Sequence, residues 1–96
     1  METLSFDTNK LIEICRKNDA AMVGVFGSVA RGEETESSDI DLLVKFSKRK
    51  SLLAIVKLER ELSTALGRKV DLLTEAALSP YLRDGILNEL KVIYEN

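Results

Sequence analysis

Apolar residues first recur at helical spacing between Asp7 and Lys17, where Leu11, Ile12 and Cys15 follow Asp7 or Thr8, either of which can cap a helix start. Asn18 and Asp19 break that pattern. Ala20 to Phe26 (AAMVGVF) then predicts a short buried strand, because Val23, Val25 and Phe26 favour a pleated surface. Gly27 ends the strand, a brief helical turn through Val29, Ala30 and Arg31 is stopped by Gly32, and Glu33 to Ser38 (EETESS) reads as a solvated loop. From Asp39 to Phe46 the residues alternate: Ile40, Leu42, Val44 and Phe46 share one strand face, and Asp39, Asp41, Leu43 and Lys45 share the other. After a basic turn at residues 47–50, Ser51 caps a long helix with Leu52, Ile55, Val56, Leu58, Leu62 and Leu66 on its apolar side, closed by Gly67. Lys69 to Thr74 predicts a third strand. Ser79 and Pro80 start a final helix carrying Leu82, Ile86, Leu87 and Leu90, and Val92 to Tyr94 reads as a last edge strand. Apolar Tyr81, Leu82 and residues 92–94 are expected to be half-buried core, with partner surface as the alternative.

Helices and strands thus alternate without linker or repeat, and every element must close over one small sheet, so the fold class is α/β or α+β. The loop between the first two strands suits antiparallel or mixed pairing; the helix before the third suits a crossover. Ninety-six residues leave room for one core, so a single domain over residues 1–96 is expected. The N-terminus carries acids where a signal peptide would carry bases, and apolar runs fall far short of the roughly 18 residues of a membrane span, so a cytoplasmic protein is expected.

Composition narrows the chemistry. Fourteen Lys and Arg against 16 Asp and Glu give a net charge of −2, which argues against strong binding of long nucleic acid by blanket phosphate neutralisation. The absence of His excludes Ser-His-Asp triads, Cys-His pairs and His-ligated metals. Cys15, the single cysteine, forms no internal disulfide and is expected to be buried. Catalysis therefore falls to carboxylates, hydroxyls, Lys, Arg or a metal.

Asp39 and Asp41 lie two apart on a strand, so their side chains point to one face with Cβ atoms roughly 7 Å apart. Their repulsion, on the order of 2 kcal/mol at an effective dielectric near 20, is offset by a cation, and oxygen-only ligands select Mg²⁺ with Mn²⁺ as a substitute. Asp71, in the third strand, completes a cluster if that strand lies beside the second. Three carboxylates without a His match a two-metal site for in-line phosphoryl displacement, in which Asp71 would orient or deprotonate the acceptor hydroxyl. Gly27 and Ser28 sit where a strand opens into a helical turn, a place suited to phosphate; Arg31, one turn on, could reach a phosphate oxygen or instead pair with Glu33, Glu34 or Glu36.

Together Gly27-Ser28-Val29-Ala30-Arg31-Gly32 and Ser38-Asp39-Ile40-Asp41-Leu42-Leu43-Val44 resemble the signature of the DNA polymerase β-like nucleotidyltransferases, in the minimal nucleotidyltransferase (MNT) branch. The resemblance extends to Gly67, to Lys69-Val70-Asp71-Leu72 and to Ser79-Pro80-Tyr81. It implies a small mixed sheet flanked by helices and transfer of a nucleotidyl group from MgATP to a hydroxyl, with pyrophosphate leaving. By position it implies that Asp39 and Asp41 bind two Mg²⁺ ions, Asp71 is the third acid, and Gly27 and Ser28 hold the phosphates. It further implies an antitoxin that adenylylates a tyrosine of a cognate HEPN ribonuclease toxin. The alternatives are a non-catalytic antitoxin that masks the toxin, or transfer to a non-protein acceptor; a homo-oligomer is compatible with either. Lys45 departs from the pattern of relatives that carry an acid or small residue there, and is expected to extend outward.

Overall fold

The computed structural model describes residues 6–33, 35 and 38–96; Glu34, Glu36 and part of the expected acidic loop lie outside the described residues. The elements run α1 (Thr8–Lys17), β1 (Ala20–Phe26), α2 (Gly27–Arg31), β2 (Ile40–Phe46), α3 (Leu52–Leu66), β3 (Val70–Leu73), a short 3₁₀ turn (Glu75–Ala77), α4 (Pro80–Glu89) and β4 (Lys91–Glu95). The caps are those the sequence predicts: the Asp7 carboxylate accepts the Lys10 N–H, the Ser51 hydroxyl accepts from Ala54, and the Ser79 hydroxyl accepts from Tyr81. The 3₁₀ turn has no counterpart in the sequence reading.

The four strands form one mixed sheet in the order β3-β2-β1-β4. β1 runs antiparallel to both β2 and β4, while β2 and β3 are parallel and joined by α3, so the antiparallel pairing and the crossover that the connections suit are both present. The outer edge of β3 is covered from α3: Ser63 Oγ accepts the Val70 N–H at 3.0 Å, and Glu59 Oε2 accepts the Leu72 N–H at 2.8 Å.

Strand alternation divides the core between the two faces. Ile40, Leu42 and Val44 of β2 join Val23, Val25, Leu11, Cys15, Leu58, Leu62 and Val70 in the larger cluster, under α1 and α3. Met22, Phe26 and Leu43 form a smaller cluster on the opposite face, against Leu73, Leu78, Ile86 and Leu90. The aspartates belong to this second, thinner face.

Two helix expectations need correction. Leu52 is 78% exposed and Val56 38%, although the sequence pattern puts both on the apolar side of α3. With 3.6 residues per turn, Ile55, Leu58, Leu62 and Leu66 fall within an arc of about 80°, whereas Leu52 and Val56 lie about 80° and 120° from Leu62. Likewise Tyr81 (96%), Leu82 (62%) and Val92 (50%) are exposed rather than half-buried, while Ile93 and Tyr94 of the tail pack on the core.

Cys15 is fully buried, and burial, with a smaller contribution from the Glu61 charge, pushes its thiol up to about 12. Iodoacetamide at pH 8 is therefore expected to modify it far more slowly in the native protein than in denaturant, since the thiolate is the nucleophile. Equal rates would show that the α1 packing is absent in solution. No helix among the described residues is long and apolar enough to cross a membrane.

Candidate active site

Phe26 is extended and Gly27 turns sharply at φ +74°, opening β1 into the five-residue α2, which Gly32 ends in a left-handed conformation. The need for glycine at position 27 is steric as well as torsional. A Cβ there would lie 2.2 Å from Asp41 Oδ2, so the Asp41 carboxylate rests against the Gly27 backbone. Ser28 follows as the second residue of α2.

Asp41 sits inside β2 opposite Phe26, and in the parallel pairing it is the register partner of Asp71. Asp39 immediately precedes β2. Its approach is held from the α3–β3 turn: Arg68 donates to the Ser38 carbonyl from Nη2 at 2.8 Å and Nε at 3.2 Å, and the Ile40 N–H reaches the Lys69 carbonyl at 2.9 Å. The three carboxylates are thus brought to one edge of the thin face. Burial, then the charges of Asp71 and Asp39, raise Asp41 above the usual carboxylate range. Asp71 is raised as well, mainly by burial, with Asp39 and Glu59 adding to the shift and the Lys69 ammonium opposing it. Lys69 Nζ lies 3.8 Å from Asp39 Oδ2 and 3.9 Å from Asp71 Oδ1.

Among the described residues no group of three His, Cys, Asp or Glu side chains is closed into a set that could hold a metal as it stands. The donor chemistry nonetheless fits a hard divalent cation. The three acids offer only oxygen, and after burial it is the charges of Asp71 and Asp39 that raise Asp41, a repulsion that a cation would offset.

Two residues predicted at the phosphate position carry other contacts. Arg31 pairs with Glu33, one of the three surface partners that the sequence offers, and also with Glu89 Oε2 at 3.1 Å; Glu34 and Glu36 lie outside the described residues. The N–H of Gly27, a residue expected to help hold phosphate, donates to Glu89 Oε1 at 2.8 Å. Sequence reasoning missed Glu89 and Arg68. Glu89 lies 62 residues from Gly27, and nothing local marks it. Lys45 does extend outward, to Glu75 Oε2 at 3.3 Å, which also meets Arg83 through its other oxygen.

Residues 9–96 match the family described as Polymerase beta, Nucleotidyltransferase. The chain belongs to this nucleotidyltransferase family. It is 49% identical over 80 residues to a candidate protein adenylyltransferase of Methanocaldococcus jannaschii, covering 83% of this chain and 86% of the relative. In three dimensions it is similar to a chain in the crystal structure of a toxin–antitoxin with AMP-PNP, with TM-score 0.82 and 28% identity over 92% of this chain and 73% of that one. It is also similar to a chain in the structure of a tri-AMPylated Shewanella oneidensis HEPN toxin in complex with an MNT antitoxin, with TM-score 0.73 and 26% identity, covering 92% of this chain and 69% of that one. The resemblance read from the Gly27-Ser28 and Asp39-Ile40-Asp41 segments is thus borne out, as is the mixed sheet flanked by helices.

Proposed function

We propose that this nucleotidyltransferase is an antitoxin that transfers AMP from MgATP to a tyrosine hydroxyl of a cognate HEPN ribonuclease toxin. The observation that carries the reading is the acidic edge itself: Asp41 and Asp71 are paired across parallel strands, beside the turn at Gly27 and Ser28. The adenylyltransferase relative and the AMPylated toxin complex supply the class of acceptor.

In this reading Asp39 and Asp41 hold Mg²⁺ with Asp71 as third acid, and the ions, when bound, neutralise charge on the phosphates and on the leaving pyrophosphate. Ser28 donates to the phosphates from its hydroxyl. Asp71, in register with Asp41 across the parallel strands, takes the acceptor's hydroxyl proton. The acceptor oxygen then bonds to the α-phosphorus as the bond to the bridging oxygen breaks and pyrophosphate departs. The exposed Tyr81, Leu82, Leu87 and Val92 give a protein acceptor apolar surface to dock on. The same surface would serve an antitoxin that only masks its toxin, which is the second reading.

Incubation with α-labelled ATP, Mg²⁺ and the toxin encoded alongside is expected to label the toxin and release one pyrophosphate per AMP. Without label on the toxin the transfer reading fails. Toxin neutralisation that persists at equimolar protein without ATP would establish masking instead.

A further inference from the structure

Glu89 is the last residue of α4, yet its carboxylate touches both ends of α2: Oε1 accepts the Gly27 N–H at 2.8 Å and Oε2 meets Arg31 Nη1 at 3.1 Å. Its approach is built into the packing of the thin face. Leu90 lies against Gly24 of β1 so closely that a Cβ at position 24 would sit 2.6 Å from Leu90 Cδ1, so Gly24 admits the end of α4 onto the sheet. Leu90 also packs with Met22, Phe26 and Leu43, which anchors the residue next to Glu89 in the smaller core. The bond to Gly27, more than the Arg31 pair, holds the Glu89 carboxyl below the usual glutamate range, so the acceptor is ionised at neutral pH.

We propose that Glu89 is a positioning residue that sets the Gly27-Ser28 turn for the nucleotide, an inference that rests on the assignment of that turn to the phosphates. Gly27 is gripped from two sides, by the Asp41 carboxylate against its α-carbon and by Glu89 on its N–H. The Phe26–Gly27 peptide, which carries that N–H, cannot rotate without breaking the Glu89 bond, and so the direction in which the chain enters Ser28 is fixed. Two consequences follow: the Gly27 N–H is not a phosphate donor, and the phosphates are read by Ser28 and the donors after it. Arg31 is likewise tethered by Glu89 beside the turn and serves its shape.

The test compares the full chain with Glu89→Gln and Glu89→Ala, using ATP with Mg²⁺ as the probe in titration calorimetry, well below each variant's unfolding temperature. The Gln amide oxygen still accepts the Gly27 N–H, whereas Ala leaves it without this acceptor. ATP affinity is therefore expected to fall about tenfold in Glu89→Ala and to stay within about threefold of the parent in Glu89→Gln. In ¹H–¹⁵N spectra without nucleotide, the Gly27 amide should move upfield and exchange faster in Glu89→Ala. A brace with no part in binding would lower both unfolding temperatures and leave ATP affinity unchanged, which overturns the proposal. Tighter ATP binding by Glu89→Ala also overturns it, since Glu89 would then compete with phosphate for the turn. If the unsubstituted protein binds no ATP, the assignment of the turn falls and this inference with it, an outcome told apart because the parent itself is silent.

Discussion

Exchanging Asp41 for asparagine is expected to reduce AMP transfer by at least about a thousandfold while making the metal-free protein slightly more stable, a combination that separates function from fold. The activity loss follows from position. Asp41 is the central acid, paired with Asp71 across β2 and β3 and resting on Gly27, so it adjoins both the third carboxylate and the phosphate turn. Asparagine keeps the shape and one oxygen but removes the charge that would draw Mg²⁺. The stability gain follows from the sign of the Asp41 shift. Its carboxyl is raised in the folded state, by burial first and by Asp71 and Asp39 next, so ionisation at neutral pH works against folding. As pH falls through the raised value the penalty is relieved, and below the ordinary carboxylate range it is gone. The substituted protein should therefore unfold a few degrees higher than the parent in EDTA at pH 7, with the gap closing as pH falls toward 3, since about 1 kcal/mol moves the midpoint of a domain this size by roughly 4–8 °C. Thermal unfolding in EDTA and labelled-ATP transfer with Mg²⁺ measure the two halves. Transfer that survives in Asp41→Asn would remove the acid from the mechanism. A lower unfolding temperature would mean that Asp41 is a structural partner and not a strained acid.

Strand alternation is a local property, and it alone places Asp41, Leu43 and Lys45 on the face opposite Ile40, Leu42 and Val44. Helix caps are equally local, and Asp7, Ser51 and Ser79 were legible for that reason. What lay beyond the sequence depends on how distant segments meet. The alignment of Asp41 with Asp71 needs parallel pairing, which the α3 crossover permitted but did not dictate. The Arg68 clamp on the Ser38 carbonyl, 30 residues away, and the Glu89 bond to Gly27, 62 away, are set by packing. Polarity alone also could not say which apolar residues of α3 and α4 are covered. Leu52 and Leu82 are as apolar as Leu62 yet stay exposed, and Leu52 lies off the face of α3 that carries Ile55, Leu58, Leu62 and Leu66 onto the core. Gly27 shows the limit from the other side. The motif marked it as a phosphate glycine, and the packing adds what no local pattern showed: its missing side chain also makes room for the neighbouring acid.

Gly27→Ala should accordingly be among the most damaging single substitutions in the chain, through two separable effects. The first is torsional: at φ +74° an L-side chain is strained by about 1–2 kcal/mol. The second is a collision, because the new methyl would sit 2.2 Å from Asp41 Oδ2, and either the carboxylate or the turn must move. Asp41 is the softer of the two, so it is expected to rotate away from the site, and AMP transfer should drop by more than about a hundredfold, as when a catalytic group is displaced by an ångström. Gly67→Ala isolates the first effect. Gly67 has nearly the same backbone, φ +68°, at the end of α3, but a Cβ there meets nothing within 4 Å. That variant should lose a comparable amount of stability and keep its transfer activity when assayed below its unfolding temperature. Denaturant midpoints and initial rates for both variants supply the comparison. Equal loss of activity at positions 27 and 67 would assign the damage to stability alone, whereas loss confined to position 27 ties it to the contact between the glycine and the acid. A double substitution sharpens the distinction: once Asp41→Ala has removed the carboxylate, the added cost of Gly27→Ala should shrink toward that of Gly67→Ala, because the collision has no partner left.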